Sequence, residues 1–113
     1  MVKLLIETGK VDLNSKCGYN KETPLARAVI EGRLAVVKQL VNTDGVDINS
    51  RNRWGSTPLL TAVFYENKAM VKLLLESRKT DVNLADKYGY TPLSLAVEKG
   101  LESIVKLLQS YVL

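Results

Sequence analysis

Apolar residues along this chain fall in short stripes of helical spacing. Leu59, Ala62 and Val63 stand at i, i+3 and i+4, and after a polar break at Glu66-Asn67 a second stripe runs through Met70, Val71, Leu74 and Leu75. Each stripe covers one face of a short helix, and the small Ala62 lets two helices approach closely. Thr57 can cap the first helix with its hydroxyl. Pro58 suits the first helical position, where its missing donor would have no partner anyway. On the polar side of the second stripe, Lys72 and Glu76 are spaced for an i,i+4 pair of about 0.3 kcal/mol. Beyond Ser77 the residues turn polar, and Asp86-Lys87-Tyr88-Gly89-Tyr90 contains a glycine suited to a turn with positive φ. Two short antiparallel helices followed by a projecting finger are therefore predicted.

The same pattern recurs. Thr-Pro-Leu begins at Thr23, Thr57 and Thr91, 34 residues apart each time. Val-Lys-x-Leu begins at Val2, Val37, Val71 and Val105, and Asp-x-Asn at Asp12, Asp47 and Asp81. A fixed period of this length marks stacked copies of one supersecondary unit, each burying its apolar face against its neighbours. Such a stack offers an extended groove rather than a pocket as its working surface, which points to recognition.

Composition narrows the chemistry. Sixteen Lys and Arg against twelve Asp and Glu give a formal net charge of +4, with the signs interspersed, so the excess says little about partners. Histidine is absent, which removes the commonest general base and metal ligand. No Gly-rich phosphate loop follows a strand pattern, and no Ser or Cys has a base in sequence reach, so catalysis is not expected and neither is a cofactor. The single cysteine, Cys17, permits no intramolecular disulfide and no thiolate metal cluster. A reducing intracellular setting fits, cytoplasmic or nuclear, and no targeting signal is visible. No run of about eighteen apolar residues exists, so a membrane-spanning helix is not predicted and no membrane partner is expected.

At the residues named above the chain resembles the ankyrin-repeat family. The matching residues are Gly55-Ser56-Thr57-Pro58-Leu59, Gly89-Tyr90-Thr91-Pro92-Leu93, Ala28, Ala62, Ala96, Gly32, Gly100 and the three Asp-x-Asn triplets. Together they cover essentially the whole chain. The resemblance implies an all-α solenoid of stacked helix-turn-helix units with projecting finger turns, acting as a non-enzymatic protein-protein interaction module. The units would be a leading half repeat over 1–22, full repeats over 23–56 and 57–90, and a last repeat without a finger over 91–113. The stretch Thr8-Gly9-Lys10-Val11-Asp12-Leu13-Asn14 is one residue longer than the usual finger base and is similar to that of long fungal-type arrays.

Departures from the family pattern carry their own expectations. Its histidine after Thr-Pro-Leu is replaced by Ala26, Leu60 and Ser94, so some rigidity at the helix starts should be lost. Asn14 to Thr23 spans 9, whereas Asn49 to Thr57 and Asn83 to Thr91 span 8, so the first finger carries one extra residue and should be distorted. Lys21 lies near the place taken by Gly55 and Gly89, and Asn20 is the nearest residue that tolerates a left-handed conformation. Neither end looks capped. Only Gln109, standing where Ile6, Val41 and Leu75 stand in other copies, suggests a polar outer face. A fragment of a longer array is the preferred reading. The other is a small protein whose open ends self-associate end to end.

Aromatic and basic residues gather in the fingers and near the end of the first helix, the segments that in ankyrin stacks form the concave binding face. Arg51, Arg53, Trp54, Phe64, Tyr65, Lys87, Tyr88 and Tyr90 form the candidate surface for a protein partner, because aromatics and Arg dominate binding energetics. The competing account has these rings packing on the adjacent finger. A second reading of the function is a structural spacer within a larger multidomain regulator. Nucleic-acid binding comes third: Arg51, Arg53 and Trp54 mix the right characters, but no recognised module accompanies them. Lys3, Lys38, Lys72 and Lys106 should form a solvated ladder on the outer face of the second helices. Cys17 beside Lys16 reads either as a reactive thiol or, preferably, as a substitute at the family's aspartate position.

Overall fold

The computed structural model describes residues 14–16 and 18–112. Expectations placed on Val2 to Ile6, Lys3, Asp12 and Cys17 lie outside the described residues. Among the described residues six helices follow in order: α1 (Pro24–Ile30), α2 (Leu34–Val41), α3 (Pro58–Phe64), α4 (Lys68–Glu76), α5 (Pro92–Glu98) and α6 (Glu102–Val112). No strand interrupts them among the described residues.

Each odd-numbered helix starts at a proline preceded by a threonine. Thr23, Thr57 and Thr91 accept hydrogen bonds from the backbone N–H groups of Ala26, Leu60 and Ser94, at 3.2, 3.2 and 3.1 Å. The three positions of the family's histidine differ in what replaces it. Ala26 and Leu60 are buried, and the Ser94 hydroxyl accepts from the Thr91 N–H at 2.9 Å, closing a reciprocal capping box. The polar break between α3 and α4 is sharp for a related reason. Glu66 adopts φ 58°, in the place held by Gly32 and Gly100, both at φ 71°, and Asn67 caps α4 by accepting from the Met70 N–H at 3.1 Å.

Within each unit the two helices pack antiparallel, α1 on α2, α3 on α4 and α5 on α6. Between units α1, α3 and α5 form one row and α2, α4 and α6 the other. One apolar core runs through the stack, from Leu25, Val37 and Leu40 through Leu59, Val63, Met70 and Leu74 to Leu108. Pro24, Pro58 and Pro92 therefore begin equivalent helices along a shared seam. The molecule measures 41 × 26 × 22 Å, longer than broad, as a short stack should be.

Lys38, Lys72 and Lys106 are exposed on the second helices as expected, but Lys72 and Glu76 do not pair. The ion pairs among the described residues are Arg27 with Glu22 and Glu31, Arg33 with Glu31, and Lys99 with Glu66. In water the attraction between two exposed long side chains barely covers the entropy of ordering them. Gln109 is exposed, whereas Val41 and Leu75 in the equivalent place are buried.

Neighbouring fingers are tied at base and tip. At the base, the Asn49 amide donates to the Lys79 carbonyl and its Oδ1 accepts from the Asp81 N–H, at 3.1 and 2.7 Å. Asn14 makes the same two bonds to Gly45 and Asp47, at 2.8 and 2.6 Å. At the tip, the Arg53 N–H donates to the Asn20 carbonyl and the Lys87 N–H to the Trp54 carbonyl, both at 2.9 Å.

The first finger departs from the others in its turn. Asn52 Oδ1 accepts from the N–H groups of Trp54 and Ser56, and Asp86 Oδ1 accepts from those of Tyr88 and Tyr90. Gly18, not Cys17, holds the equivalent place by the repeat spacing; it has no side chain to do this and sits at φ 76°. Lys21, not Asn20, takes the left-handed conformation at φ 55°, matching Gly55 and Gly89 at φ 76° and 85°. Tertiary register has overridden the local preference of asparagine, and the extra residue is absorbed between Asn14 and Gly18.

Candidate functional site

A groove of ≈ 460 Å³ opens between the fingers and the side of α3 that carries Leu60, Thr61 and Phe64. Its lining arises from the repeat itself. Residues one period apart stand beside one another in the stack, so Trp54 and Tyr88 continue the column of Asn20, Tyr90 continues that of Glu22 and Ser56, and Phe64 continues that of Ile30. Substituting aromatics along two finger columns, with Phe64 and Tyr65 at the end of α3, makes one wall of rings.

Of the eight residues singled out from the sequence, Trp54, Phe64, Tyr65, Tyr88 and Tyr90 line this groove. Tyr88 is 70% exposed, Phe64 56%, Tyr65 53% and Trp54 38%. Phe64 and Tyr65 meet edge to face with ring centroids 5.3 Å apart, a geometry that fixes both rings without covering either. Arg51, Arg53 and Lys87 stand outside the lining. The Arg53 guanidinium lies over the Tyr19 ring, 4.2 Å from its centroid, and Lys87 packs against Gly55, where an added Cβ would stand 3.2 Å from its Cγ. Arg51 is exposed.

Polar lining residues were not anticipated from the sequence. Glu22 is buried at 7% exposure and faces Arg27 Nη1 at 3.6 Å. Asn52 and Asp86 sit at the turn position of their fingers. Tyr90 is flanked by carboxylates: Glu98, first as acceptor to its hydroxyl and then as a charge, partial burial next, and Asp86 last raise its pKa above 10.0. Their common signal was the column alignment, which sets Glu22 beside Ser56 and Tyr90, and Asn52 beside Asp86, once the residues are stacked by the repeat length. Outside the lining, Lys99 Nζ stands 5.1 Å from the Phe64 ring centroid and 3.3 Å from Glu66 Oε2.

Stacked Thr-Pro-Leu helix pairs, finger turns clipped to one another and a groove on the finger side together define a repeat architecture. A family profile described as ankyrin repeats, three copies, matches residues 1–52 and 37–112. The chain belongs to the ankyrin-repeat family. No curated protein matches it. Ankyrin repeats are, as a class, non-enzymatic protein-protein interaction modules, and the groove of this ankyrin stack lies on its fingers and first helices. No described helix is long and apolar enough to cross a membrane, and the described residues contain no group of His, Cys, Asp or Glu placed to hold a metal ion.

Proposed function

We propose that this chain binds a protein partner through the groove between its fingers and α3, with Trp54, Phe64, Tyr65, Tyr88 and Tyr90 as the contact residues and Arg51, Arg53 and Lys87 on the rim. The observation that carries this reading is the exposure of large rings on a rigid frame. Phe64 and Tyr65 leave more than half their surface to water although α3, which presents them, is buried along Leu59, Ala62 and Val63. A fold that needed these rings for its own packing would cover them. Because core and fingers hold the wall in place beforehand, a partner loses little entropy on ordering it.

The test replaces Phe64, Tyr65 and Tyr90 by Ala and compares proteins captured from cell lysate, by quantitative mass spectrometry, with those captured by the parent chain. Retained helical circular dichroism with capture reduced at least about 30-fold is expected, since a central aromatic anchor commonly carries about 2 kcal/mol or more. Undiminished capture would remove the groove from the mechanism. Loss of folding would instead favour a structural spacer held together by these rings.

A further inference from the structure

The charges lining the groove are of one sign. Glu22 and Asp86 are among its residues and, among the described residues, no Lys or Arg is, in a chain of net charge +4. Of the cations close by, Arg27 is engaged with Glu22 and Glu31, Arg53 lies over Tyr19 and Lys99 meets Glu66 and the Phe64 ring, whereas Arg51 and Lys87 on the rim are exposed and outside the lining. Asp86 forms no ion pair among the described residues. Its Oδ1 holds the N–H groups of Tyr88 and Tyr90, at 2.8 and 3.0 Å, and no hydrogen bond among the described residues occupies its second oxygen. Glu98, outside the lining, raises the pKa of Tyr90 first as acceptor to its hydroxyl and then as a charge, and Asp86 adds to this last.

The preceding finger separates structure from charge. Asn52 occupies the position of Asp86 one period earlier and accepts the same pair of backbone N–H groups, both at 3.0 Å. A neutral amide therefore suffices for the turn, and the charge of Asp86 is not needed to build it. That charge stands among Trp54, Tyr88 and Tyr90, whose faces attract cations.

We propose that the groove takes a basic peptide segment of the partner, seating an Arg or Lys side chain against Asp86 while the rings of Trp54, Tyr88 and Tyr90 cover its aliphatic stem. This inference rests on the binding reading above and names the chemistry of the occupant. A long basic side chain satisfies both halves of the site, its stem on the rings and its head on the carboxylate. An apolar anchor would desolvate Asp86 without compensation, and an acidic one would be repelled.

Random short peptides displayed on phage, selected on the parent chain and counter-selected on the Phe64→Ala/Tyr88→Ala variant, provide the test. Both replaced rings are largely exposed, so that variant keeps its fold; circular dichroism checks this, and Tyr88→Ala alone is the fallback. Arg or Lys beside apolar residues should be enriched. The strongest selected peptide should bind Asp86→Asn about 5-fold more weakly at low salt and Asn52→Asp more tightly, both differences shrinking as salt rises. Groove-dependent peptides that are acidic or uncharged, or an affinity untouched by Asp86→Asn, would overturn the basic segment and leave the groove standing. If no peptide distinguishes the parent from the ring variant, both proposals fall together.

Discussion

The finger turn at Gly18 and the turn at Asp86 occupy one position two periods apart, yet they are closed by different means. At Asp86 one carboxylate oxygen gathers two backbone donors, a glycine takes the left-handed residue, and the Gly89 N–H reaches the Asp86 carbonyl at 3.1 Å. At Gly18 no side chain among the described residues gathers the turn, Lys21 carries the left-handed strain, and its N–H reaches the Gly18 carbonyl only at 3.3 Å. Both tips nevertheless pair with the next finger or the previous one through bonds of 2.9 Å. Local turn chemistry can therefore weaken without displacing the finger, because its neighbour holds it.

Glycine at the left-handed position provides the largest contrast. Gly55→Ala should destabilise the chain by about 2–3 kcal/mol in urea unfolding, since the added Cβ meets the Lys87 backbone N at 3.0 Å in addition to the unfavourable φ. Gly89→Ala faces the φ alone, with nothing within 4 Å, and should cost about 1 kcal/mol. Equal losses would mean that the contact between fingers contributes nothing. Removing the gathered hydrogen bonds comes next: Asn52→Ala should cost about 1 kcal/mol and raise amide exchange at Trp54 and Ser56. Protection left unchanged there would show that the tip bonds suffice alone.

Relief of strain in the first finger is smaller. Lys21→Gly should stabilise by about 0.5 kcal/mol, the left-handed cost removed being partly offset by the entropy of an added glycine; a loss of stability would place Lys21 in an interaction of its own. The smallest effect is on titration. Glu98→Gln should bring the phenol of Tyr90 back toward pH 10.0, read as the ultraviolet phenolate signal of the parent minus that of Tyr90→Phe. The sign follows from the raised native value: folding favours the protonated phenol, and this preference disappears as pH climbs through the native pKa. An unmoved titration would make Asp86 or burial the dominant cause.

Helix starts were legible because Thr-Pro is itself the mechanism: a side-chain acceptor followed by a residue that needs no donor. The core stripes were legible for the same local reason. Lys21 was not, since register imposed by Arg53 and Asn20 outweighed a preference that points to asparagine. Of the groove, the aromatic residues stood out by type, whereas Glu22, Asn52 and Asp86 are ordinary turn and loop residues until the repeats are laid side by side. The absent Lys72–Glu76 pair shows the limit of spacing, which brings two side chains within reach but supplies no reason to stay in water.

The asparagine clips at Asn14 and Asn49 have a consequence for how such arrays can grow. A finger is pinned at its root by an amide and at its crest by a main-chain bond, so only the slack between those pins is free to lengthen. The first finger already holds one more residue there than its successors, and the helices after it stay in step. A reporter peptide spliced between Asn14 and Gly18 would thus bulge outward while the rest of the tower kept its pitch.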